Sequence, residues 1–475
     1  MNITDPIRHR ARLRPTAVAV IRADDTSVTY RDLDQMIDAA TARVAGLGLR
    51  IGQVAGLTMA GPDEFLPLVL ALALARVGIT SADAALPADR LDVCLLPEGT
   101  AAPDGVRCVR FDASWIQPAP RGNAPAQPMH PDGSAICRIF ASSGTTGTPK
   151  FTAISHDLIA RRVFSNGLSM GPPEPIHICA VGFGITWGFC SVLRTFWAGG
   201  TLVLTNPAQA VAAIRRHQVN SMVIAPVSLR AVVSALPGDS VPPPSLRSIE
   251  VGGSLLPPRL HELVRQTLCG SVVSYFGSTE TGGIASGPWT ALQGIEGAVG
   301  IVHAGVEVQA VDADDRLLPH GTAGVLRIRG ANTVTGYLDE AVAPTGIFRR
   351  GWFYPGDVGA VTADGIVSVT GRVSDFINAG GVKISPKVVE DVLLAVPDVT
   401  EAVAFGVPDR MGVVQIWAAI VAPVTIPHAV LTAACRENLG RRAPKFVLQI
   451  RELPRNANGK VLRDELVAFA TAQQP

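Results

Sequence analysis

The sequence predicts an α/β fold in which a large layered domain with a β-rich subdomain precedes a small α+β domain. Short apolar strand patterns alternate with amphipathic helix patterns in the first half of the chain, as is typical of a largely parallel sheet covered by helices. Strand patterns without intervening helices follow, and they predict the β-rich subdomain. Past Arg372 the pattern changes to a compact segment with its own helix and strands. We therefore expect a large domain over residues 1–373 and a small one over residues 374–475.

The elements of the large domain begin with a strand pattern at residues 18–21. Apolar residues then recur at the spacing of one helix face, which predicts the first long helix: Leu33, Ile37, Ala40, Val44 and Leu47. Strand and helix patterns alternate further along, over residues 54–75, 181–196 and 201–214. Residues 87–131 are rich in Pro, Gly, Ala and Asp, and they predict loops with short strands.

The later elements are mostly strands. Alternating apolar residues predict strands at 306–311 and 325–329. In the small domain we expect a helix over residues 386–396 and strands near Val403 and Ile416.

The charge of the chain is almost balanced, with 41 Lys and Arg against 40 Asp and Glu. No long run of one sign is present, so neither a nucleic-acid surface nor a polybasic membrane patch is expected, and a small-molecule site is favoured. Seven cysteines lie scattered without a C-x-x-C pair, which argues against structural zinc and a disulfide framework. The most apolar run, 65–75, is far shorter than the ~20 residues that span a bilayer. With no apolar stretch behind the first charged residues, we expect a cytoplasmic protein without a signal peptide.

A loop rich in small hydroxyl residues and glycine lies between an apolar strand pattern and an amphipathic segment. Its residues are Ser142, Ser143, Gly144, Thr145, Thr146, Gly147, Thr148 and, after Pro149, Lys150. Such a loop lets backbone N–H groups approach a phosphate, and the lysine adds a positive charge. It differs from a Walker P-loop, which has Gly directly before Lys. Composition alone leaves a flexible Ser/Gly linker equally open.

Three further stretches carry candidate ligand-binding residues. Residues 273–283 place Phe276, Gly277, Thr279 and Glu280 in a Gly-rich turn, where an aromatic ring suits a planar base and a carboxylate suits a metal ion. Residues 351–357 end in Asp357, which can accept both hydroxyls of a ribose, and Arg372 follows at a distance. Residues 454–460 form a polar loop that ends in Lys460. Taken singly, the pair Thr279–Glu280 is more often just a helix cap, and Lys460 is read as a solvated surface charge.

Together, the four stretches in this order resemble the adenylate-forming (ANL) superfamily, which includes acyl-CoA synthetases, peptide-synthetase adenylation domains and luciferases. The likeness covers nearly the whole chain and is greatest to aryl-CoA ligases. Further matching segments are 29–33, 305–308 and 324–337. The resemblance implies the ANL fold with a small mobile C-terminal domain. It also implies an ATP- and Mg²⁺-dependent acid–thiol ligase: a carboxylate attacks the α-phosphate of ATP to give an acyl-adenylate and pyrophosphate, and a thiol then displaces AMP.

The resemblance also implies a role for each site residue. Residues Ser142 to Lys150 handle the β- and γ-phosphates, Phe276 stacks on adenine beside Gly277, and Thr279 contacts the α-phosphate. Glu280 is the Mg²⁺ ligand, Asp357 and Arg372 hold the ribose, and Lys460 bridges the substrate carboxylate and the phosphate. The hinge, commonly Asp or Lys in the family, corresponds to Ser374 here.

The substrate acid is less closely defined. Gly184 stands where amino-acid-activating members have an Asp that binds the substrate ammonium, so a free α-amino acid is disfavoured. The residues that resemble the pocket lining are Phe183, Gly184, Trp187, Gly252, Gly253, Tyr275, Gly283 and Ile284. They suggest a flat slot for an aromatic acid, although Phe183 and Trp187 could each be ordinary core residues, and a medium-chain aliphatic acid stays open.

The acceptor thiol is expected to be CoA, because residues 378–386 resemble those of CoA ligases and Gly380 and Gly381 would let a pantetheine arm pass. Two alternatives for the function remain from the sequence. The enzyme could load the phosphopantetheine of a separate carrier protein, or the fold could serve a non-catalytic nucleotide-binding regulator. A homodimer is also left open.

Overall fold

The computed structural model describes most of the chain: residues 1–59, 64–83, 85–117, 132–142, 149–165, 174–236, 240–339, 346–379, 382–409, 413–455 and 461–472. The chain divides into two compact units. Unit 1 comprises Met1–Val308, Arg327–Phe353 and Thr362–Val367, and unit 2 comprises Gln309–Leu326, Tyr354–Val361 and Ser368–Pro475. The predicted boundary between residues 373 and 374 stays a prediction.

The α-helices of the described residues are α1 (Asp5–Leu13), α2 (Tyr30–Ala45), α3 (Phe65–Arg76), α4 (His156–Ser165), α5 (Thr186–Trp197), α6 (Ala210–His217), α7 (Pro226–Ser234), α8 (Pro258–Thr267), α9 (Trp289–Leu292), α10 (Pro386–Leu394), α11 (His428–Leu439) and α12 (Arg463–Ala472). Helix α2 begins with a capping box, in which Thr29 and Asp32 satisfy each other's backbone N–H groups. It confirms the predicted first long helix. No helix among the described residues is long and apolar enough to cross a membrane.

The strands of unit 1 that lie before residue 303 are β1 (Val18–Ile21), β2 (Ser27–Thr29), β3 (Val54–Leu57), β4 (Thr80–Ala82), β5 (Val93–Pro97), β6 (Cys108–Phe111), β7 (Ile136–Ser142), β8 (Lys150–Ser155), β9 (Ile176–Cys179), β10 (Thr201–Val203), β11 (Ser221–Ile224), β12 (Ser248–Gly252), β13 (Val272–Ser278), β14 (Gly282–Pro288) and β15 (Ala298–Val302). The later strands are β16 (Val306–Val311), β17 (Gly324–Gly330), β18 (Phe348–Arg349), β19 (Trp352–Phe353), β20 (Asp357–Val361), β21 (Ile366–Arg372), β22 (Ile377–Ala379), β23 (Val382–Ile384), β24 (Glu401–Pro408), β25 (Val414–Val421) and β26 (Phe446–Gln449).

Two sheets build the layered part of unit 1. The first has the order β6-β5-β3-β4-β7-β8 and is parallel except for the β7–β8 hairpin. The second includes the run β14-β13-β12-β11-β9-β10-β1-β2, in which the strands from β13 to β1 are parallel. Helix α3, apolar on all sides, is buried along almost its whole length, as expected for a helix enclosed in a layered core. The predicted α/β architecture with a largely parallel sheet is confirmed.

This topology determines where a site can form. Strands β9, β12 and β13 run in the same direction within one sheet. The segments that follow their carboxyl ends therefore lie along one edge of that sheet, where ligands bind in open α/β folds. These segments contain the predicted pocket residues around 183–187 and 252–253 and the predicted nucleotide residues around 277–280.

Unit 2 has a small sheet of its own, ordered β24-β25-β26, and a separate β22–β23 hairpin. Strands β24 and β25 are antiparallel, β25 and β26 are parallel, and apolar residues of α10, α11 and this sheet share one core. The segment beyond residue 374 therefore has the predicted α+β character, with a helix and strands at the expected positions.

Candidate active site

The predicted phosphate loop is the connection of the β7–β8 hairpin. Ser142 and Lys150 are opposite each other in the ladder, and the Ser142 hydroxyl donates to the Lys150 carbonyl at 3.3 Å. The two ends of the loop are thus held together by the hairpin. Its central residues, Ser143 to Thr148, lie outside the described residues.

The second predicted motif forms the turn between β13 and β14. The register shifts between Phe276 and Gly277, and a Cβ on Gly277 would lie 2.4 Å from the Gly282 carbonyl oxygen. Glycine is therefore required for the two strands to approach so closely. Phe276 is half-buried and Thr279 partly exposed, whereas Glu280 is buried.

Glu280 is held by a tyrosine from a distant part of the chain. The Tyr337 hydroxyl donates to Oε1 of Glu280 at 2.7 Å, and the Lys150 ammonium lies 5.4 Å from the centroid of the Tyr337 ring. Residues of three separate motifs thus meet at one place, and the sequence analysis did not predict the role of Tyr337. Tyr337 and Glu280 are 57 positions apart in the sequence, so no local sequence signal marks this contact.

A Mg²⁺ site on this turn would have few protein ligands. Among the described residues, no cluster of three or more His, Cys, Asp or Glu side chains is placed to ligate a metal. Magnesium bound with a nucleotide needs only one or two carboxylates, since phosphate oxygens and waters complete its shell. Glu280, with Oε1 oriented by Tyr337, fits that role.

Two predicted pocket residues, Trp187 and Tyr275, form a stacked pair. Their ring centroids are 5.2 Å apart with an interplanar angle of 5°. The Trp187 indole N–H donates to Glu250 at 2.8 Å, and Arg194 lies 3.7 Å from the other oxygen of that buried carboxylate. The hydrogen bond and the stacking together hold both rings in one orientation beside the edge of the sheet.

The remaining pocket residues are of mixed character. A Cβ on Gly252 would lie 2.7 Å from the Tyr275 carbonyl oxygen and 3.1 Å from the Trp187 ring, so Gly252 packs directly against the stacked pair. Gly253 follows with a φ of +86°. Phe183 is 2% exposed and belongs to the main apolar core, as the alternative interpretation allowed. Gly184 is half-buried, and Gly283 and Ile284 are buried on β14.

A carboxylate that sequence reasoning missed lies beside the predicted pocket. Glu64 accepts a hydrogen bond from the backbone N–H of Phe183 at 3.3 Å. Burial raises the pKa of Glu64, and the hydrogen bond from Phe183 offsets part of that rise. Glu64 lies directly before an apolar helix in the sequence, where an acid is equally well read as a helix-end residue.

The predicted ribose-binding pair is assembled within unit 2. Nε of Arg372 donates to Oδ1 of the buried Asp357 at 2.8 Å. Gly356, with a φ of +80°, makes the turn before Asp357, and the Val373 N–H donates to the Gly356 carbonyl at 2.7 Å. The turn and the strand that carries Arg372 therefore fix the carboxylate in one orientation.

Several predicted residues are not placed by the structure. Lys460, Gly380 and Gly381 lie outside the described residues. The backbone of Ser374 lies in a short 3₁₀ turn, Val373–Asp375. The roles given to these residues stay predictions.

Comparison with known proteins gives family matches over both parts of the chain. The family model described as AMP-binding enzyme matches residues 7–338, and the model of the AMP-binding enzyme C-terminal domain matches residues 388–460. A feruloyl-CoA synthase of an Amycolatopsis species is 27% identical, with 97% of each chain covered. An oxalate–CoA ligase of Arabidopsis thaliana is 25% identical, with 94% of each chain covered.

Solved structures agree in fold. The o-succinylbenzoate CoA synthetase of Bacillus subtilis, in complex with its acyl-adenylate intermediate, has a TM-score of 0.85 and 24% identity, with 97% of each chain covered. The same enzyme was also solved with ATP and magnesium ion. These matches confirm the predicted resemblance and the predicted ANL fold. The chain belongs to the AMP-binding enzyme family, within the adenylate-forming superfamily that its sequence resembles.

Proposed function

We propose that this ligase activates an aromatic carboxylic acid as an acyl-adenylate and transfers the acyl group to CoA. The observation that carries the proposal is the parallel Trp187–Tyr275 stack next to Gly252. A flat ring binds well against such a surface through offset stacking. The names of the relatives range from a feruloyl to an oxalate ligase, so the preference for an aryl acid rests on this surface.

The charges near the stacked pair argue against an α-amino acid. Glu250 already accepts from Trp187, and Arg194 balances part of its charge. Gly184 offers no carboxylate of its own. A buried ammonium without a partner would cost several kcal/mol. Glu64 is the carboxylate bonded to this loop, and its raised pKa makes it a weak partner for a cation.

In the first step the substrate carboxylate attacks the α-phosphorus of ATP, and pyrophosphate leaves. We propose that Phe276 stacks on adenine, that Asp357 and Arg372 bind the ribose, and that Thr279 contacts the α-phosphate. The loop from Ser142 to Lys150 would hold the outer phosphates, and Lys460 would lie between the two anions that react. Glu280 would ligate Mg²⁺, which would supply further charge neutralisation. In the second step the CoA thiol attacks the acyl carbon, and AMP leaves.

A panel of acids tests the proposal. Benzoates, cinnamates, an aminobenzoate, medium-chain fatty acids and common α-amino acids are each supplied with ATP and Mg²⁺, and pyrophosphate release is measured with and without CoA. Aryl acids should drive release far better than α-amino acids, and CoA should convert the adenylate to a thioester. Strong exchange with an amino acid and none with benzoates or cinnamates would refute the aryl assignment. If an acyl-adenylate forms but no CoA thioester is detected with any acid, a carrier protein would be favoured as the acceptor.

Two variants locate the acyl and thiol sites within the chain. Gly283→Leu should lose bulky acids before small ones, because a side chain at this position would fill the proposed slot. Gly381→Trp should leave adenylation largely intact while it blocks thioester formation. If Gly381→Trp lost both half-reactions equally, the pantetheine arm would have to pass elsewhere.

We propose the cytoplasm as the compartment, consistent with seven free cysteines.

A further inference from the structure

Arg162, on α4, is a buried guanidinium that donates only to backbone carbonyls. Its side chain is 1% exposed. Nη1 donates to the Thr279 carbonyl at 3.0 Å and Nη2 to the Glu280 carbonyl at 3.0 Å. Nε and Nη2 both donate to the Asn332 carbonyl, at 3.1 and 2.8 Å. Among the described residues no carboxylate forms a salt bridge with Arg162.

Burying a guanidinium without a carboxylate partner is costly, so its contacts need an explanation beyond packing. A guanidinium remains protonated in proteins and offers a rigid planar fork of N–H donors. Here the fork is divided between two segments of unit 1, the Thr279–Glu280 turn and the loop at Asn332. Hydrogen bonds from a charged donor are stronger than neutral ones, and together these fix the backbone of the turn.

The contacts also set the direction of a peptide group. A trans peptide holds its C=O and N–H on opposite sides, so binding of the Thr279 carbonyl turns the Glu280 N–H away from Arg162. Within the described residues that N–H donates no hydrogen bond. The turn thus presents an amide donor, the Thr279 hydroxyl and the Glu280 carboxylate from one rigid segment.

Neighbouring contacts hold Arg162 and the turn in register. The Val334 N–H also donates to the Glu280 carbonyl at 2.9 Å, and the Asn332 side chain donates to Ser165 of α4 at 2.6 Å. Gly282, with a φ of +68°, lies against the arginine, since a Cβ there would be 3.0 Å from its Nε. A side chain at residue 282 would press on the guanidinium and would also be strained in this left-handed backbone conformation.

We infer that Arg162 is a positioning residue for adenylation: it orients the Thr279–Glu280 turn so that the α-phosphate and Mg²⁺ are bound in the reactive geometry. The inference rests on the proposed roles of Thr279 and Glu280. It predicts a defect in the Mg²⁺-dependent first step and little effect on transfer of a finished adenylate to CoA.

The test compares Arg162→Met and Arg162→Lys with Arg161→Met. Arg161 is the exposed neighbour on the same helix, so its replacement controls for loss of one positive charge. Each variant is assayed for ATP–pyrophosphate exchange over a range of Mg²⁺ concentrations with the acid that the unmodified enzyme prefers. The second half-reaction is measured with chemically prepared acyl-adenylate and CoA, and thermal unfolding monitors folding.

Loss of several charged hydrogen bonds should slow the exchange of Arg162→Met by about 100-fold. The Mg²⁺ concentration for half-maximal exchange should rise about tenfold or more in that variant. Arg162→Lys can keep part of the contacts, so its exchange rate and Mg²⁺ requirement should lie between those of Arg162→Met and the unmodified enzyme. Transfer of prepared acyl-adenylate to CoA should change less than about threefold in both Arg162 variants. Arg161→Met should match the unmodified enzyme. Unchanged Mg²⁺ dependence in Arg162→Lys, or equal loss of both half-reactions, would overturn the inference.

Gly282→Ala gives a second route that keeps the arginine. The added methyl group pushes against the guanidinium, so this variant should show the same rise in Mg²⁺ requirement with a smaller loss of rate. If Arg162→Met does not fold, the Lys and Gly282→Ala variants decide. If the unmodified enzyme shows no pyrophosphate exchange with any acid of the panel, the proposed function is contradicted instead. The two failures can therefore be told apart.

Discussion

At the scale of single residues, Tyr337 has the most consequential contact in the candidate site. Its hydroxyl donates to Glu280 at 2.7 Å while its ring faces the Lys150 ammonium at 5.4 Å. The ring thus lies against a positive group, and the hydroxyl fixes one oxygen of the Glu280 carboxylate. We expect Tyr337 to set the orientation of Glu280 toward the metal, as groups that bond a metal ligand commonly do.

The variant Tyr337→Phe tests this role, because it removes the hydroxyl and keeps the ring. Pyrophosphate exchange should fall about tenfold, since a hydrogen bond to a charged group contributes ~1.5–3 kcal/mol and part of it can be replaced by water. The Mg²⁺ titration of the exchange rate is the measurement. Tyr354→Phe is the matched control, because the Tyr354 hydroxyl donates to Asp315 in unit 2. A loss of the same size in both variants would contradict a specific role for Tyr337.

Some of these residues could be predicted from the sequence, and some could not. Trp187 and Tyr275 were both predicted to line a pocket, and they do stack on each other. Arg162 could not be predicted, because its helix pattern is amphipathic and nothing local marks a buried arginine. Its four hydrogen bonds go to residues more than a hundred positions away, so the contact exists only once the fold has formed.

At the scale of elements, the segment around the predicted hinge is anchored on both sides of Ser374 within unit 2. Before it, the Val373 N–H bonds the Gly356 carbonyl at 2.7 Å. After it, Asp375 accepts from Arg463 at 3.3 Å, and Arg463 also donates to Glu390 of α10 at 2.9 Å. Both anchors belong to unit 2, and the role of Ser374 as hinge stays a prediction.

Variants of Ser374 and Lys460 should divide the two half-reactions. Ser374→Pro should slow thioester formation more than adenylation, because proline holds φ near about −65° and hinders a rotation between the steps. Lys460→Ala should abolish adenylation, since the charge that develops between carboxylate and α-phosphate loses its cation. The same lysine variant should still make thioester from prepared acyl-adenylate and CoA.

Single-turnover assays of each half-reaction provide the measurement, with Ser374→Ala as control for loss of the hydroxyl. Equal damage to both steps in Lys460→Ala would mean that the lysine is structural or that the small domain does not rotate.

Element positions were predictable wherever a periodic pattern was long. The strand at 18–21 and the strand at 306–311 match β1 and β16, and the helix predicted over 386–396 is α10, two residues shorter. Residues 87–117 contain two short strands among loops, as composition indicated, and residues 118–131 lie outside the described residues. Strand order could not be predicted, because β7 pairs with β4 through residues that are distant in the sequence, such as Ser81 and Arg138.

At the scale of the whole molecule, two buried histidines make the stability of the fold depend on pH. His177 lies between the hydroxyls of Ser221 and Ser191, each 2.9 Å away, and burial, with a smaller effect of Arg194, lowers its pKa to about 3. His156 accepts from the Ile3 N–H at 3.2 Å, and burial lowers its pKa to about 4. Both side chains are therefore neutral in the folded protein at neutral pH.

The free energy of unfolding should consequently fall as the pH drops below about 6.5, where the unfolded chain binds a proton on each histidine and the folded chain does not. Between pH 7.5 and pH 5 each of the two should cost about 2 kcal/mol of stability. Urea unfolding followed by tryptophan fluorescence at these two pH values measures the loss.

His177→Asn should reduce the difference in the free energy of unfolding between the two pH values by about 2 kcal/mol, because asparagine can keep one hydrogen bond without titrating. His9→Asn, at an exposed position on α1, is the matched control and should leave the difference unchanged. An equal pH dependence in the His177 variant and the unmodified protein would show that His177 accepts its proton without unfolding the chain.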